Sequence, residues 1–493
     1  MLRPRLLGVE TEYPLAARGP DGTPVETEVA VAQLMQLARR RLPHLRDLHS
    51  GGGVFLENSM RLYVDTGFHP ELCTPECTDP RDAVRYILAG EAILSRMATE
   101  LAVTAPGISE ATLFKACLDY HTGRSTWGCH ESYAHHADPQ VLGDQILPHL
   151  VSRLIYTGAG GFNTLGRAFE FVLSPRVPHL TNAVSDSSTH DRGIYHTKNE
   201  PLACEGYNRL HILCGESLCS EVAMYMKLGT TALVVAMIEA GLRPADKVRL
   251  RSPLAAMRRF ARDETCQCAA RGANGKTLTA IAIQRHYHEL AASYAAELAP
   301  WAAEVTEGWG ALLDRLQGAP SSVANVLDWA IKLHLYRERT QRNGRRWEGL
   351  KPPRELRAEL CEIDARFGQL GEPGIFIVMD RAGVLDHHVP GIDRVNEAIR
   401  HPPLGGRAHL RGDCVKRFAG HGDRYLADWF GVVDTVRGEY LDLSDPFETR
   451  ERWLNIGSPG CSTGSRGLRR LIEALSLWRA APSRSGRYRD FPF

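Results

Sequence analysis

The stretch VFLENSMRLYVDTGFHPELC, residues 54–73, carries the strongest fold signal in this chain. The runs VFLEN and MRLYVDTG, parted by Asn58 and Ser59, have the length and turn residues of a β-hairpin. In the second run the period of two puts Arg61, Tyr63 and Asp65 on one face of a strand, with Leu62 and Val64 on the other. A cation, a phenol and a carboxylate therefore share a surface, and Glu71 follows within one more strand. Upstream, RLLGVETEY (residues 5–13) alternates as well, with Leu7, Val9 and Thr11 on one side and Gly8, Glu10 and Glu12 on the other. If the hairpin pairs beside this strand, the polar faces meet. Carboxylates gathered in that way repel one another and call for cations, and oxygen-only ligands select Mg²⁺ or Mn²⁺ over zinc. The alternative is an exposed polar sheet face with surface ion pairs.

Working outward, sheet and helix alternate. A helical pattern spans residues 26–41, and the glycines at 51–53 lack the following helix of a phosphate-cradling loop and read as a turn. Asp79 caps a helix with Pro80 in its first turn. Residues 218–241 form an apolar core helix closed by Gly241, too polar at its start for a membrane span. Further helices run from about Leu278 through Leu335, with Trp301, Trp309 and Trp329 as packing residues. GANGKT (272–277) lacks the first glycine of a Walker loop and reads as a hairpin turn. HPPLGGRAHLRGD, from His401, is the best internal boundary signal, and the tail SRSGRYRDFPF is expected to fray.

A length of 493 residues suggests about three domains by the usual prior, or one large enzyme core. With 59 Lys and Arg against 58 Asp and Glu, nothing argues for a nucleic-acid or anionic-membrane binder. No run of 18 apolar residues and no signal-peptide pattern is present, so a cytoplasmic protein is expected. The twelve cysteines are widely spread and are expected to be reduced; Cys73 with Cys77, and Cys266 with Cys268, lack zinc-knuckle spacing. His135 with His136, and His387 with His388, read as surface or core histidines. No nucleophile elbow is found, which leaves the chemistry to carboxylates and metal.

GVETEY, NSMRLYVDTGFHPELCTPEC, WGCHESY, YNRLHI, MKLGTTALV and RAHLRGD, in that order over residues 5–445, resemble the family of the Pup–protein ligase and the Pup deamidase/depupylase. The resemblance implies an α+β, glutamine synthetase-like fold: a large catalytic domain over 1–400 with a curved, mostly antiparallel sheet flanked by helices, a small C-terminal domain over 401–480 contacting the nucleotide, and a disordered tail over 481–493. It implies ATP and Mg²⁺, a Pup-like modifier protein, target-protein lysines and a bacterial proteasome system. Residue by residue, it implies Glu10, Tyr63, Glu71 and His211 at the metal, Arg61, Thr74 and Trp429 at ATP, Asp65 as the catalytic group, and Lys198 and Arg209 at the modifier.

The ligase branch would join the modifier's C-terminal glutamate side chain to a lysine through a phosphorylated glutamate. Only 55 positions separate Glu10 from Asp65, too few for the long insertion of the depupylase branch, which favours the ligase. TPECTDPRDAV and RGDCVKRF look more like the depupylase, and a non-catalytic modifier-binding homologue is the alternative of another class. HTKNEPLAC departs from the family's N-T-R-D-E-P-H-A-D at Lys198, Asn199 and Leu202, and KACLD (115–119) departs from K-N-N-x-D. Lysine cannot reproduce arginine's planar grip on a carboxylate, so altered modifier recognition is expected.

Overall fold

Alternating burial along Leu7–Glu12 shows why this segment is a strand: Leu7, Val9 and Thr11 are buried while Gly8, Glu10 and Glu12 are only half-buried. The computed structural model describes residues 5–49, 52–123, 125–166, 168–186, 191–196 and 206–456, arranged in two compact units. The first comprises residues 1–14, 77–95 and 112–394; the second comprises 15–76, 96–111 and 395–493.

In the first unit the strands lie in the order Val184–Ser185, Tyr195–His196, Asn208–Ile212, Cys129–His135 and Leu7–Glu12. All pairs are antiparallel except the first. The register sets Glu10 opposite His130, His211 opposite Ser132, and His196 opposite His211. Helices supply the core. Glu221–Glu239 is capped by Ser220, whose hydroxyl accepts the Ala223 N–H at 3.2 Å, and it ends at Gly241, whose φ of 87° lets the chain turn back. Its apolar stretch is long enough to cross a membrane by composition, yet 94% of it is buried inside the protein. Gly229 lets this helix approach Ala302–Gly318, since a Cβ there would lie 2.7 Å from Val305. Trp309 and Trp329 are fully buried, and Trp329 Nε1 donates to the Ile155 carbonyl at 2.9 Å. Asp79 accepts the Arg81 N–H at 2.7 Å at the start of Pro80–Thr104. The GANGKT segment is a hairpin turn, joining the paired strands Ala269–Arg271 and Thr277–Thr279.

In the second unit the strand order is His69–Cys73, Arg61–Asp65, Val54–Leu56, His44–Asp47, Tyr425–Ala427, Gly431–Asp434, Glu439–Asp442 and Trp453–Asn455. The Asn58–Ser59 turn is closed by Ser59 N–H to Leu56 O at 2.8 Å and Leu56 N–H to Met60 O at 2.8 Å. Residues 395–456 share this sheet with the N-terminal hairpin through a parallel pairing, Leu426 with Arg46 and Ala427 with Asp47. Phe55, Leu45, Leu410, Val415, Val432 and Leu441 form the apolar core between the sheet and the helix Gly406–Phe418. The helix Thr27–Arg41 buries Ala30, Val31, Leu34 and Met35, as its periodicity predicts. The ten described cysteines are all free thiols. The tail expected to fray, and residues 457–480 of the segment 401–480, lie outside the described residues.

Candidate active site

The hairpin of the second unit builds one polar face. Its register sets Arg61 opposite Cys73, Tyr63 opposite Glu71 and Asp65 opposite His69, while Leu62 and Leu72 face the other way and are buried. Tyr63 donates its hydroxyl to Glu71 Oε1 at 2.6 Å. The Arg61 guanidinium lies 4.0 Å from the Tyr63 ring centroid and reaches Asp47 with both Nε (2.7 Å) and Nη2 (2.6 Å). Burial opposes the Arg61 charge, but Asp47 more than offsets it and raises its pKa, so the cation is permanent. Thr74, just past the strand, is buried.

Trp429 stands on the loop before Gly431–Asp434 and packs edge-on to Phe55, with centroids 5.3 Å apart. The loop is tied down by Asp428, whose carboxylate accepts the N–H groups of Phe430 and Gly431 at 2.7 Å each. Its other oxygen meets His49 Nε2 at 2.9 Å. Burial lowers the His49 pKa, but the hydrogen bond and charge of Asp428 outweigh it and leave the ring above its ordinary value. Beneath this face, Arg411 lies 4.9 Å from the Trp429 ring and 5.3 Å from Phe55, and it grips Glu76 together with Arg407. All three side chains are buried, and the two guanidiniums hold the Glu76 carboxyl below its usual range against the cost of burial.

In the first unit a second cluster forms across three strands. Glu10 Oε1 lies 3.2 Å from His211 Nε2, 3.4 Å from His130 Nδ1 and 3.6 Å from an Arg209 nitrogen. Arg209 also reaches His211 Nδ1 at 2.7 Å and donates to Ser132 Oγ at 3.0 Å. An arginine can only donate, so His211 carries its own proton on Nε2, aimed at Glu10. Burial, then the Arg209 charge, pushes the His211 ring well below its ordinary pKa in spite of Glu10, so the imidazole is neutral at pH 7. Burial likewise works against ionising Glu10, but the His211 and His130 rings and the Arg209 charge overcome it.

The donor atoms of Glu10, His130 and His211 all lie within 4.8 Å of one another, and His130 Nε2 is buried with no hydrogen-bond partner. One carboxylate and two imidazoles suit a divalent cation. Within its own unit Glu10 meets ring nitrogens, those of His211, which the resemblance placed beside it, and of His130. The structure brings Arg61, Tyr63, Asp65 and Glu71 onto one hairpin face and sets Glu10, His211 and Arg209 together; Lys198 lies outside the described residues. Sequence reasoning missed His130, Asp47 and Asp428. For His130 the alternation of CHESY was the available signal, but the opposite face of that strand also carries a charge, Glu131, buried against Arg153 at 2.6 Å.

Mostly antiparallel strand pairing together with these helices defines an α+β protein. The chain belongs to the Pup-ligase family, whose model matches residues 5–433. The Pup–protein ligase of Arthrobacter sp. (strain FB24) is 32% identical over 455 residues, covering 90% of this chain and 96% of the relative. The Pup deamidase/depupylase of Mycolicibacterium smegmatis is 31% identical over 477 residues, covering 89% and 93%. Among solved structures, the ligase PafA in complex with the prokaryotic ubiquitin-like protein Pup superposes with a TM-score of 0.76 at 25% identity, over 96% of this chain and 93% of that one. PafA in complex with ADP gives 0.71 at 27% identity, over 91% and 93%.

Proposed function

We propose that this protein is an ATP-dependent ligase that joins the C-terminal glutamate side chain of a Pup-like modifier to a lysine of a target protein. The observation that carries this reading is the hairpin register, which sets Tyr63 on Glu71 and aligns Asp65 and the Asp47-bound Arg61 on the same face, in a chain of this family.

A free carboxylate is a poor acyl donor. The γ-phosphoryl of ATP is therefore transferred to the modifier's glutamate oxygen, after which the lysine nitrogen attacks that carbonyl, the C–O bond to phosphate breaks and an isopeptide C–N bond remains. Arg61, fixed by Asp47, stabilises negative charge that builds during transfer. Asp65 accepts the proton that the attacking amine must lose. Glu71 and Tyr63 on the hairpin would hold Mg²⁺, which when bound would offset the charge of the phosphates; Glu10, His130 and His211 in the first unit would hold a divalent cation of their own. A cation held by His211 Nε2 would require the ring's proton on Nδ1, the atom that Arg209 now approaches at 2.7 Å. Thr74 and Trp429 would contact the nucleotide. On this reading residues 1–400 act as the catalytic domain, the segment from 401 as a small nucleotide-side domain, and the cytoplasm, where ATP is available, is the place of action.

Mg²⁺-dependent ATP turnover in the presence of a modifier ending in glutamate tests the assignment. Asp65→Asn should lower it by about 10²–10⁴-fold, the range of a lost general base. Equal turnover in the two proteins would remove Asp65 from the chemistry.

A further inference from the structure

Residues 337–357 carry eight Lys and Arg against three Glu, in a chain whose overall charge is balanced. They close the helix Asp328–Arg342, cross a loop and open the helix Arg354–Phe367. Three of these arginines are paired: Arg337 with Glu264 at 2.6 Å, Arg339 with Glu359 at 2.9 Å and Arg342 with Glu338 at 3.5 Å. Arg345, Arg346, Lys351 and Arg354 are exposed and make no ion pair among the described residues. Lys351 and Arg354 also stand at the positive end of a helix dipole, where cations are disfavoured, so helix stability gives no reason for them. The loop that presents these charges is held in place. Trp347 stacks on Tyr336 with the rings 17° apart, its Nε1 donates to Glu264 at 3.3 Å, and Pro352 is buried.

A cleft of about 270 Å³ adjoins this loop through the hairpin of Gly161–Phe162 and Phe171–Val172. On the loop side, Phe171 meets Trp347 with centroids 6.1 Å apart, and the Arg357 guanidinium lies 5.4 Å from the Phe169 ring. On the cleft side, Leu165, Val172, Val177 and Ala261 supply apolar wall, and the exposed Arg258 and Arg262 supply charge. Arg258 is steadied by the Leu180 carbonyl at 2.7 Å and Arg262 by Glu170 at 3.2 Å. Leu165 is 56% exposed, an aliphatic side chain left uncovered. The volume is below the roughly 300–1,000 Å³ of small-molecule sites and suits one side chain of a larger partner.

We propose that this surface docks an acidic segment of the target protein, with an aliphatic side chain of that segment seated in the cleft. The charge is complementary to Asp and Glu, and the apolar wall selects a polypeptide over a nucleic acid. Bases need open aromatic faces to stack on, whereas the rings here are engaged with one another: Phe162 with Phe169 at 4.1 Å, and Trp347 with Tyr336. The assignment to the target rests on the ligase reading. The modifier must deliver its C-terminus to the catalytic groups, and Arg209, the described residue that the resemblance gives to the modifier, lies in the Glu10 cluster. The basic loop and the cleft share no residue with that cluster, which leaves them to the protein that brings the lysine.

Fluorescence anisotropy of a labelled Glu-rich peptide carrying one Leu, titrated with the full chain at low salt, tests the surface. Wild type is compared with the triple variant Arg345→Glu, Arg346→Glu, Lys351→Glu, all exposed positions outside the catalytic machinery. The wild type should bind the peptide at least about tenfold more tightly than the variant, and the margin should shrink in high salt. A peptide with Ser in place of Leu should bind the wild type several-fold more weakly. In conjugation assays the variant should modify an acidic target at least about tenfold more slowly, while its affinity for the modifier and its ATP turnover with the modifier alone match wild type. Equal peptide binding by the two proteins would overturn the surface, as would tighter binding of single-stranded DNA than of the peptide. A matching loss of modifier affinity in the variant would overturn the assignment to the target. If the wild type conjugates no target at all, the ligase reading fails, and the peptide comparison still decides whether the surface takes an acidic segment.

Discussion

The two polar sheet faces of this molecule are built from different sequence distances. On the hairpin, Arg61, Tyr63, Asp65 and Glu71 lie within eleven consecutive residues: alternation puts the first three on one face of their strand, and the register of His69–Cys73 sets Glu71 opposite Tyr63. In the first unit, Glu10, His130 and His211 come from three strands far apart in the chain and meet only through the registers of Leu7–Glu12 and Asn208–Ile212 against Cys129–His135. The hairpin also holds a permanent charge pair, half-buried Arg61 with buried Asp47, whereas in the Glu10 cluster burial and Arg209 push the His211 ring below its ordinary pKa. One face is preset by local sequence and fixed charge; the other is assembled by topology.

The largest expected effect lies beneath the hairpin. Glu76→Gln leaves Arg407 and Arg411 buried without their counter-charge and should cost about 3–5 kcal/mol in chemical denaturation. Folding lowers the Glu76 pKa, so its contribution is complete above the ordinary glutamate value near 4.5 and is lost as pH falls through the lowered folded value. Wild type and variant should therefore converge in stability in acid; a constant gap down to pH 2 would show that Glu76 acts through packing and not through charge.

Asp47→Asn comes next, with an expected loss of about 3 kcal/mol, because Arg61 is then left partly buried and unpaired. Its activity should fall as well, since Arg61 loses its fixed direction. Retained activity would make Asp47 a stability residue alone. His130→Ala tests the other face: it should weaken divalent-cation binding by about 10–100-fold while leaving the melting temperature in chelator near that of wild type. Unchanged cation affinity would reduce the Glu10 cluster to a hydrogen-bonded core.

His49→Gln should have the smallest effect, under about 1 kcal/mol, because the ring is 39% exposed and solvent screens its pair with Asp428. Its folded pKa is raised, so the pair stabilises fully below the ordinary histidine value near 6.5 and fades as pH rises through the folded value. The difference between wild type and variant should shrink as pH rises beyond the ordinary histidine value near 6.5.

The hairpin was legible in the sequence because both of its determinants are local: alternation from Arg61 to Asp65, and Asn58–Ser59 as the turn, where Ser59 adopts a φ of 67°. The helix Glu221–Glu239 was legible from its apolar run and its closing glycine. Asp47 was not, since its role comes from the pairing of His44–Asp47 with Val54–Leu56, which carries it to Arg61 fourteen residues on. Nor was the union of residues 395–456 with the hairpin sheet, because a parallel pairing such as Leu426 with Arg46 spans hundreds of residues and leaves no local trace. His387 and His388 are a core and a surface histidine, and their contacts with Asp380 and Glu221 come from separate helices that leave no local trace in the sequence.

The central claim is that the hairpin face serves isopeptide ligation, and intact-mass spectrometry of a target protein tests it most directly. After incubation with the purified chain, ATP, Mg²⁺ and a Pup-like protein ending in glutamate, the target should gain the mass of one modifier less one water, and only when ATP is present. Asp65→Asn should abolish the gain. An unmodified target, with release of modifier from a preformed conjugate instead, would contradict the ligase and assign the same face to the reverse cleavage.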